Sequence, residues 1–367
     1  MNKFKYQKLT KETERVFAQV EDQILINAAK KIARDKSLMT EDNIQSWQAL
    51  KLGQLGELNK ETLKLLSEYA EVELTTMEKM LKEVGYTAVD EIEGDLKKGS
   101  DRGILLNPPD IQDSESLIQV LNAHSEEAKK VVNNINNTML SQVSSKYTQA
   151  ITDATGQVVA GIKTPQQALR QVASEWAEQG VPAMVDKLGR VWTTEAYVSM
   201  MTRTSANNIA NDMQDERMGE YGNDLIEVSS HAGARPLCEP YQGRIFSLSG
   251  KSKEYEDYGS TSYGQAAGLF GINCNHFKYP YIPGITKQTY FPYDKEENDR
   301  IYAESQKQRY HERQIRAAKR EVGMMEAIGD VDGLEQAKAK VRSRQASMRE
   351  FIDETERTRR YDREQVV

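Results

Sequence analysis

Apolar residues recur three or four positions apart through the first hundred residues, with charged residues between them. This spacing places the apolar side chains on one face of a helix, so the pattern predicts a series of amphipathic helices. The first is predicted over residues 11–36, with an apolar stripe of Val16, Val20, Ile24, Ile26, Ala28 and Ile32. Others are predicted over 46–55, 60–81 and 87–98, with breaks at Gly53, Gly56 and Gly85.

A turn-rich connector and two more helices follow. Glycine and proline are frequent over residues 99–110, and neither favours a continuing helix. A long helix is predicted over 114–154, where the asparagines of 133–137 weaken helix propensity and favour a break. Thr164 and Pro165 are typical of a helix start, because threonine caps free N–H groups and proline fits the first helical position. This helix is expected to reach Gln179.

The pattern then alternates between short strands and helices. Residues 183–192 predict two strands around Gly189, and 194–218 predict an amphipathic helix. Strand-rich pieces over 225–231, 244–248 and 276–282 are separated by glycine, proline and tyrosine. Helical spacing returns after Tyr293 and predicts an antiparallel hairpin of 294–328 and 332–360, with an aspartate capping the second helix at the corner.

These elements predict a mainly α fold with a small α+β module. We expect four regions along the chain: a helical N-terminal region over 1–110, a helical linker over 111–191, the α+β module over 192–285, and the C-terminal helical hairpin over 286–367. Apolar stripes on long helices must be buried. We therefore expect neighbouring subunits to cover the stripes that the chain itself leaves exposed.

Composition and charge narrow the function classes. The 367 residues are 38% hydrophobic and 29% charged, and the net charge is -7, which argues against a general nucleic-acid binder. Basic residues gather over 300–320 and 338–349, where they form either a solvated face of i,i+4 pairs or a contact with an acidic partner or nucleic acid. The longest apolar runs fall short of eighteen residues and the first residues are charged, so we expect synthesis in a cytoplasm and no membrane partner.

Two histidines and both cysteines of the chain fall within the α+β module: His231, Cys238, Cys274 and His276. Four nitrogen and sulfur ligands suit tetrahedral zinc, and a structural zinc ion is the cofactor that this set predicts. Cys274 and His276 would point to the same side of an extended strand. The spacing also departs from the usual two to four residues between paired ligands. The alternative is that the two cysteines are small buried hydrophobic residues and that the histidines form hydrogen bonds with the backbone.

Enzyme patterns are weak. Arg203 with the polar loop 260–262 resembles elements of mono-ADP-ribosyltransferases only faintly, and Gly264, Gly268 and Gly271 do not form a dinucleotide fingerprint. Cys238 and His231 have no activating context beyond proximity. We therefore predict a protein that is not an enzyme. The alternative is a metal-dependent hydrolase or transferase centred on the four histidine and cysteine residues.

One stretch of sequence resembles the phage minor capsid protein 2 family, which is similar in turn to the Mu F type of phage head morphogenesis proteins. The resemblance is close over residues 192–283 and looser over the helical N-terminal part. It includes a helix with Arg203 and Thr204, and one closing residue departs from it, because Asn275 stands where an arginine is expected. Its motif residues are Ser229, His231, Arg235, Pro236, Cys238, Tyr241, Gln242, Gly243, Phe246, Gly268, Gly271, Cys274, His276, Tyr279 and Pro280.

The resemblance implies a minor capsid protein that assembles with the portal inside the head of a tailed phage, near the portal vertex. It implies a role in head morphogenesis or in genome packaging and delivery. The portal protein is the expected partner, with the major capsid or scaffolding protein and packaged DNA as further expected contacts, and the chain is expected to be oligomeric in the virion. Asn275 removes a positive charge beside the candidate ligands and leaves all four in place.

Overall fold

The computed structural model describes residues 3–366 of the chain, with side chains from Thr10 onward. The fold is mainly α with small sheets, which confirms the predicted fold class. The helices are α1 (Lys3–Ala33), α2 (Ile44–Gly53), α3 (Leu55–Asp101), α4 (Glu115–Val159), α5 (Pro165–Gln179), α6 (Thr194–Tyr221), α7 (Lys295–Ile328) and α8 (Val331–Thr355). The strands are β1 (Pro182–Val185), β2 (Val191–Thr193), β3 (Leu225–Val228), β4 (Ile245–Ser247), β5 (Glu256–Asp257) and β6 (Lys278–Pro280).

The strands form two small sheets. β1 and β2 pair antiparallel around the turn at Gly189, as the sequence predicts. The second sheet has the order β5-β4-β3-β6, in which β3 lies antiparallel to both β4 and β6. β5 pairs parallel to β4 and is only two residues long, and sequence analysis did not predict it.

Two of the predicted helix breaks are wrong. Gly53 does end α2, but Gly56 and Gly85 lie inside α3, which continues from Leu55 to Asp101. A Cβ at Gly85 would lie 2.2 Å from Met213 Sδ and 3.1 Å from Ile209 Cγ1. Gly85 therefore lets α3 approach α6 closely, and its lack of a side chain serves packing instead of a turn.

The break predicted in the long helix is also wrong, because α4 is continuous from Glu115 to Val159. Ile135, Met139 and Val143 are fully buried on one side of it. Burial of this apolar stripe outweighs the weak helix propensity of the neighbouring asparagines. One of those asparagines, Asn136, donates from Nδ2 to Glu73 Oε2 at 2.7 Å.

Two helix caps predicted from the sequence are present in the structure. Thr164 accepts the N–H of Gln167, and the Gln167 side chain accepts the N–H of Thr164, which makes a capping box at α5. At the C-terminal corner, Asp330 accepts the N–H of Gly333 at 3.1 Å. The second hairpin helix therefore begins at Val331.

The C-terminal hairpin is antiparallel, as predicted. Lys340 Nζ lies 2.7 Å from Glu321 Oε2, and nearer the open end Gln308 Nε2 donates to Thr358 O at 3.0 Å. Ile315 on α7 packs with Met348 and Phe351 on α8. From the first of these contacts to the second, the residue number falls from 321 to 308 on one side and rises from 340 to 358 on the other, so the two segments run antiparallel.

The described residues divide into two compact units. Unit 1 consists of Met1–Glu14, Leu74–Lys130 and Ser199–Ser305, and unit 2 consists of Arg15–Glu73, Val131–Val198 and Gln306–Val367. The division into four regions along the sequence stays a prediction. Unit 1 contains the larger sheet and the predicted ligands.

Unit 1 has a core in which α3, α6 and the sheet supply apolar side chains. It consists of Ile92, Leu96, Met218, Tyr221, Ile226, Val228, Cys238, Phe246, Tyr258, Leu269, Phe270, Cys274 and Ile282. A buried ion pair lies beside it: Arg217 Nη2 is 2.6 Å from Glu93 Oε1, which also accepts the hydroxyl of Tyr221 at 2.9 Å. Both cysteines belong to this core, in agreement with their reading as small buried side chains.

Unit 2 buries the stripe of its first helix within the chain. Val20, Ile24, Ala28 and Ile32 of α1 are all buried. Neighbouring subunits are therefore not needed to cover this stripe, and the expectation that they cover stripes left exposed elsewhere stays a prediction. Among residues 3–366, no helix is both long and apolar enough to cross a membrane.

Candidate metal centre

Three of the four predicted ligands come together in unit 1. The ligand atoms of Cys238, Cys274 and His276 lie within 4.8 Å of one another, and each of the three residues is about 1% exposed. Cys274 Sγ is 3.3 Å from His276 Nδ1. In the described part of the chain this is the one group of three or more histidine, cysteine or carboxylate side chains arranged to hold a metal ion.

The fourth predicted ligand, His231, lies beside this group but outside it. Its ring centroid is 4.4 Å from that of His276, and the two rings are tilted by 31°. His231 Nδ1 is 3.3 Å from the carbonyl oxygen of Ala232. His231 is half-buried, whereas the three residues of the group are buried.

Two loops and one strand end carry the ligands. Cys238 follows a turn in which its N–H donates to Arg235 O at 2.8 Å, and Cys274 follows a turn in which its N–H donates to Gly271 O at 2.9 Å. His276 comes two residues before β6, whose pairing with β3 fixes it next to the strand that leads to His231. The sheet therefore determines which residues of the two distant loops meet.

Helix α6 holds the closing motif from behind. Thr204 Oγ1 accepts the N–H of Asn273 at 3.1 Å, and Asn207 Nδ2 donates to the carbonyl of His276 at 3.0 Å. Arg203 points elsewhere, with Nε 3.3 Å from Glu14 Oε1. The Arg203 and Thr204 pair that carries the resemblance thus contributes one structural support to the site through Thr204.

Gln242 contacts both histidines of the module, and sequence analysis assigned it no role. Its Oε1 accepts the backbone N–H of His231 at 2.8 Å and lies 3.2 Å from His276 Nε2. Gln242 is fully buried. The signal available in the sequence was its position next to Gly243, a glycine that makes the turn into β4 with a φ of +64°. That signal does not reveal which side chains Gln242 contacts.

Arg235 connects the two loops. Its Nη2 lies 3.1 Å from Gly268 O and 3.7 Å from Cys238 Sγ, and its Nη1 donates to Ile272 O. The Cys238 thiol also donates to Gly268 O at 3.4 Å. The guanidinium group therefore places a positive charge beside one of the two sulfurs while it holds the second loop in place.

The two thiols differ in acidity because their surroundings differ. The hydrogen bond with Cys274, assisted by His276 and Arg235 against the effect of burial, holds the pKa of Cys238 well below its usual range. Burial, together with the neighbouring Cys238, raises the pKa of Cys274. A thiolate at Cys238 is a metal ligand or a nucleophile in chemical terms. Its burial leaves a substrate no access to it.

Lys278 anchors the loop between β4 and β6. Its ammonium group is buried and lies 4.9 Å from the centroid of Phe270 and 5.5 Å from that of Tyr258. It also forms an ion pair with Asp215 on α6. A cation held between aromatic rings and a carboxylate fastens this loop to α6 without help from the cysteines.

Comparison with known proteins gives a consistent assignment. A family model described as phage minor capsid protein 2 matches residues 2–353. A structural protein of Lactococcus phage LL-H is 28% identical over 358 residues, covering 93% of this chain and 94% of that protein. A structural protein of Lactococcus phage mv4 is 39% identical over 112 residues, covering 30% of this chain and 89% of that protein. No solved structure matches.

Proposed function

The chain belongs to the phage minor capsid protein 2 family, a family of phage structural proteins, and we propose that it is a minor component of the virion that assembles with the portal protein inside the head. The match over residues 2–353 carries this proposal, because it includes nearly every helix of the chain as well as the module with the cysteines. The resemblance of residues 192–283 to head morphogenesis proteins of the Mu F type supports a position near the portal vertex.

A role in binding and not in catalysis fits the site. Cys238, Cys274 and His276 are the residues best suited to chemistry in the α+β module, and all three are buried. Buried groups can hold a fold together, but they cannot reach a substrate. We therefore propose that the protein works through contacts with other virion proteins during head morphogenesis or genome packaging and delivery.

Protein partners are better supported than DNA. Several basic side chains of the hairpin pair with carboxylates within the chain: Arg300 lies 2.7 Å from Glu304 Oε1, and Arg316 pairs with Glu195. Lys340 and Lys338 likewise have acidic partners. Charges neutralised in this way contribute little to phosphate binding, and the net charge of -7 adds repulsion.

One end of unit 2 offers an apolar surface for such a partner. Val159, Ile162 and Val331 are 61%, 70% and 74% exposed, and we call these three residues the corner surface. Its two helix corners are held side by side, because Gln166 Nε2 donates to Asp330 Oδ1 at 3.1 Å. Exposed apolar side chains grouped at one place are typical of surfaces that become buried when subunits bind, whereas single ones are ordinary.

Quantitative mass spectrometry of purified virions tests the proposal. We expect the chain to be present in a copy number comparable to that of the portal protein and far below that of the major capsid protein. Absence from virions, or a copy number equal to that of the major capsid protein, would contradict a minor component.

A variant experiment tests the proposed partner. The double substitution Ile162→Asp and Val331→Asp should reduce co-purification with the portal protein, since it places charge on the corner surface. Leu188→Asp is the matched control, because Leu188 is 79% exposed and follows the other end of α5, about 22 Å away along a fifteen-residue helix. Portal binding that is unchanged in the double variant would contradict a contact at the corner surface.

A further inference from the structure

We propose that Cys238, Cys274 and His276 bind one structural zinc ion in unit 1, with His231 as the fourth ligand. The three buried side chains already have their ligand atoms within 4.8 Å of one another. In a tetrahedral zinc centre with ordinary bond lengths, neighbouring sulfur and nitrogen ligands are roughly 3.5–3.8 Å apart. The distance of 3.3 Å between Cys274 Sγ and His276 Nδ1 is close to that separation, so small shifts suffice to admit the ion.

The hydrogen bonds of Gln242 orient His276 as a metal ligand requires. Because Gln242 Oε1 accepts the backbone N–H of His231, the orientation of its amide is fixed with the oxygen toward both histidines. The nitrogen of His276 that faces this oxygen, Nε2, must then carry the proton. The lone pair is left on Nδ1, the nitrogen that faces Cys274 Sγ. A polar partner that fixes the other ring nitrogen accompanies nearly every metal-bound histidine.

Both sulfurs receive hydrogen bonds that favour thiolate ligands. The backbone N–H of Phe270 donates to Cys274 Sγ at 3.1 Å. Arg235 Nη2 donates to Cys238 Sγ at 3.7 Å. A guanidinium and a backbone amide directed at the two sulfurs offset part of the cost of bringing two anionic ligands together.

His231 lies beside the three buried ligands and is the candidate for the fourth. Its Nδ1 is 3.3 Å from the Ala232 carbonyl, an acceptor, so the proton belongs on Nδ1 and the lone pair on Nε2. Its ring lies against that of His276 at 4.4 Å between centroids. As the fourth ligand, this nitrogen of the half-buried side chain would complete a centre of two cysteines and two histidines.

Such a centre would be structural. It joins Cys238 to Cys274 across a loop of 35 residues, and that loop contains the short strands β4 and β5 and two single-turn 3-10 helices. Four protein ligands leave no coordination position for a substrate, which is the pattern of structural zinc. Metal binding then contributes directly to the folding free energy of the module.

Metal analysis and cobalt substitution of the purified full-length chain test the site. We expect about one zinc ion per chain, and the cobalt-loaded protein should show thiolate-to-cobalt charge-transfer absorption with the strong d–d bands of a tetrahedral centre. Cys238→Ser, Cys274→Ser and His276→Gln should each weaken zinc binding by more than the roughly 10–100-fold that loss of an outer-shell partner costs. His124→Gln and His311→Gln, which change the two remaining histidines of the chain, are matched controls and should bind zinc like the unmodified chain.

Three results would overturn the zinc site. A chain that binds neither zinc nor cobalt, or a Cys274→Ser variant that keeps its zinc, would overturn the site. So would titration of free thiols that finds Cys238 and Cys274 joined in a disulfide in the native protein. If the ligand variants do not fold, removal of zinc from the unmodified chain by a chelator decides: the melting temperature must fall and must return with added zinc. Unchanged zinc affinity in His231→Gln would overturn His231 as the fourth ligand.

Discussion

His276 and Gln242 face each other in the interior of unit 1, with 3.2 Å between Nε2 of the histidine and Oε1 of the glutamine. The same oxygen holds the backbone of His231, so one side chain orients both histidines of the module. Because Gln242 is fully buried and precedes the turn at Gly243, this relationship depends on the fold of the whole sheet.

Substitution of Gln242 should weaken metal binding while the chain stays folded. Gln242→Leu removes the acceptor for His276 Nε2, so the proton is free to move to the nitrogen that faces the sulfurs. We expect zinc affinity to fall roughly 10–100-fold, as for other outer-shell partners. Competition with a chromogenic chelator measures this loss, and Gln265→Leu at an exposed position of the same module is the control. Equal affinity in both variants would contradict the role of Gln242.

The buried pair of Arg217 and Glu93 should be costly to break from one side. Burial alone would raise the pKa of Glu93, but hydrogen bonds from Arg217 and Tyr221 bring it below its usual value. Arg217→Met leaves that carboxylate buried without its cation, which costs about 3–5 kcal/mol. Adding Glu93→Gln should recover part of the loss, because Glu93 is then neutral and only Glu220, the second ion-pair partner of Arg217, still lacks its cation.

Urea denaturation measures both of these variants. Arg244→Met is the control, since Arg244 and Glu256 form an exposed pair whose loss costs under about 1 kcal/mol. If Arg217→Met destabilises the chain no more than Arg244→Met does, the buried pair does not stabilise unit 1 as described.

Glu73 should make stability depend on pH. It is buried on α3, Asn136 donates to one of its oxygens, and burial raises its pKa to about 7. A carboxyl whose folded pKa exceeds its unfolded value of 4.5 stabilises the fold at low pH and loses this contribution as pH rises from about 4.5 to about 7. Glu73→Gln stays neutral, so it should be more stable than the unmodified chain at pH 8, by on the order of 2–3 kcal/mol.

Thermal unfolding between pH 4.5 and pH 8 measures this difference. Glu71→Gln, at an exposed position two residues away on the same helix, is the control and should change the profile little. An advantage of Glu73→Gln that is the same at both ends of this range would mean that the carboxyl does not titrate there.

Asp330 should stabilise the C-terminal corner in two ways. It caps α8 through the N–H of Gly333, and it accepts Arg170 Nε at 2.6 Å and Nη2 at 2.8 Å. The hydrogen bonds from Arg170 lower the pKa of Asp330, so this contribution is present at neutral pH and is lost as pH falls through that lowered pKa.

Asp330→Ala removes both contributions and should cost about 2–4 kcal/mol, from the loss of a cap and of hydrogen bonds to a charged group. Asp330→Asn keeps a cap acceptor and should lose less. Equilibrium unfolding at pH 7 compares the two, and equal losses would show that capping contributes nothing at this corner.

Local signals in the sequence were sufficient for some features. The capping box at Thr164 and the Asp330 cap of α8 each join residues three positions apart. The local sequence is therefore enough to predict both. The mainly α fold, the hairpin and the strands around Gly189 follow from periodicity for the same reason. Cys238, Cys274 and His276 could be selected because the chain has so few cysteines and histidines.

Other features depend on distant parts of the chain. Gly85 was predicted to break a helix, but its role is set by Met213 on a helix more than a hundred residues later. The asparagines of α4 were predicted to break the helix. Burial of Ile135 and Met139, which requires the neighbouring helices, stabilises the helix instead. The contacts of Gln242 exist only once β3 and β6 have paired, so no local pattern could assign its role.

Localised cryo-electron microscopy reconstruction of the portal vertex, made on virions that carry this chain, tests the central claim most directly. The account predicts density inside the head and against the portal that fits the long helices α3 and α4 together with the hairpin of α7 and α8. Virions without such density at the vertex, or with the chain spread over the outer face of the capsid lattice, would contradict a portal-associated structural protein.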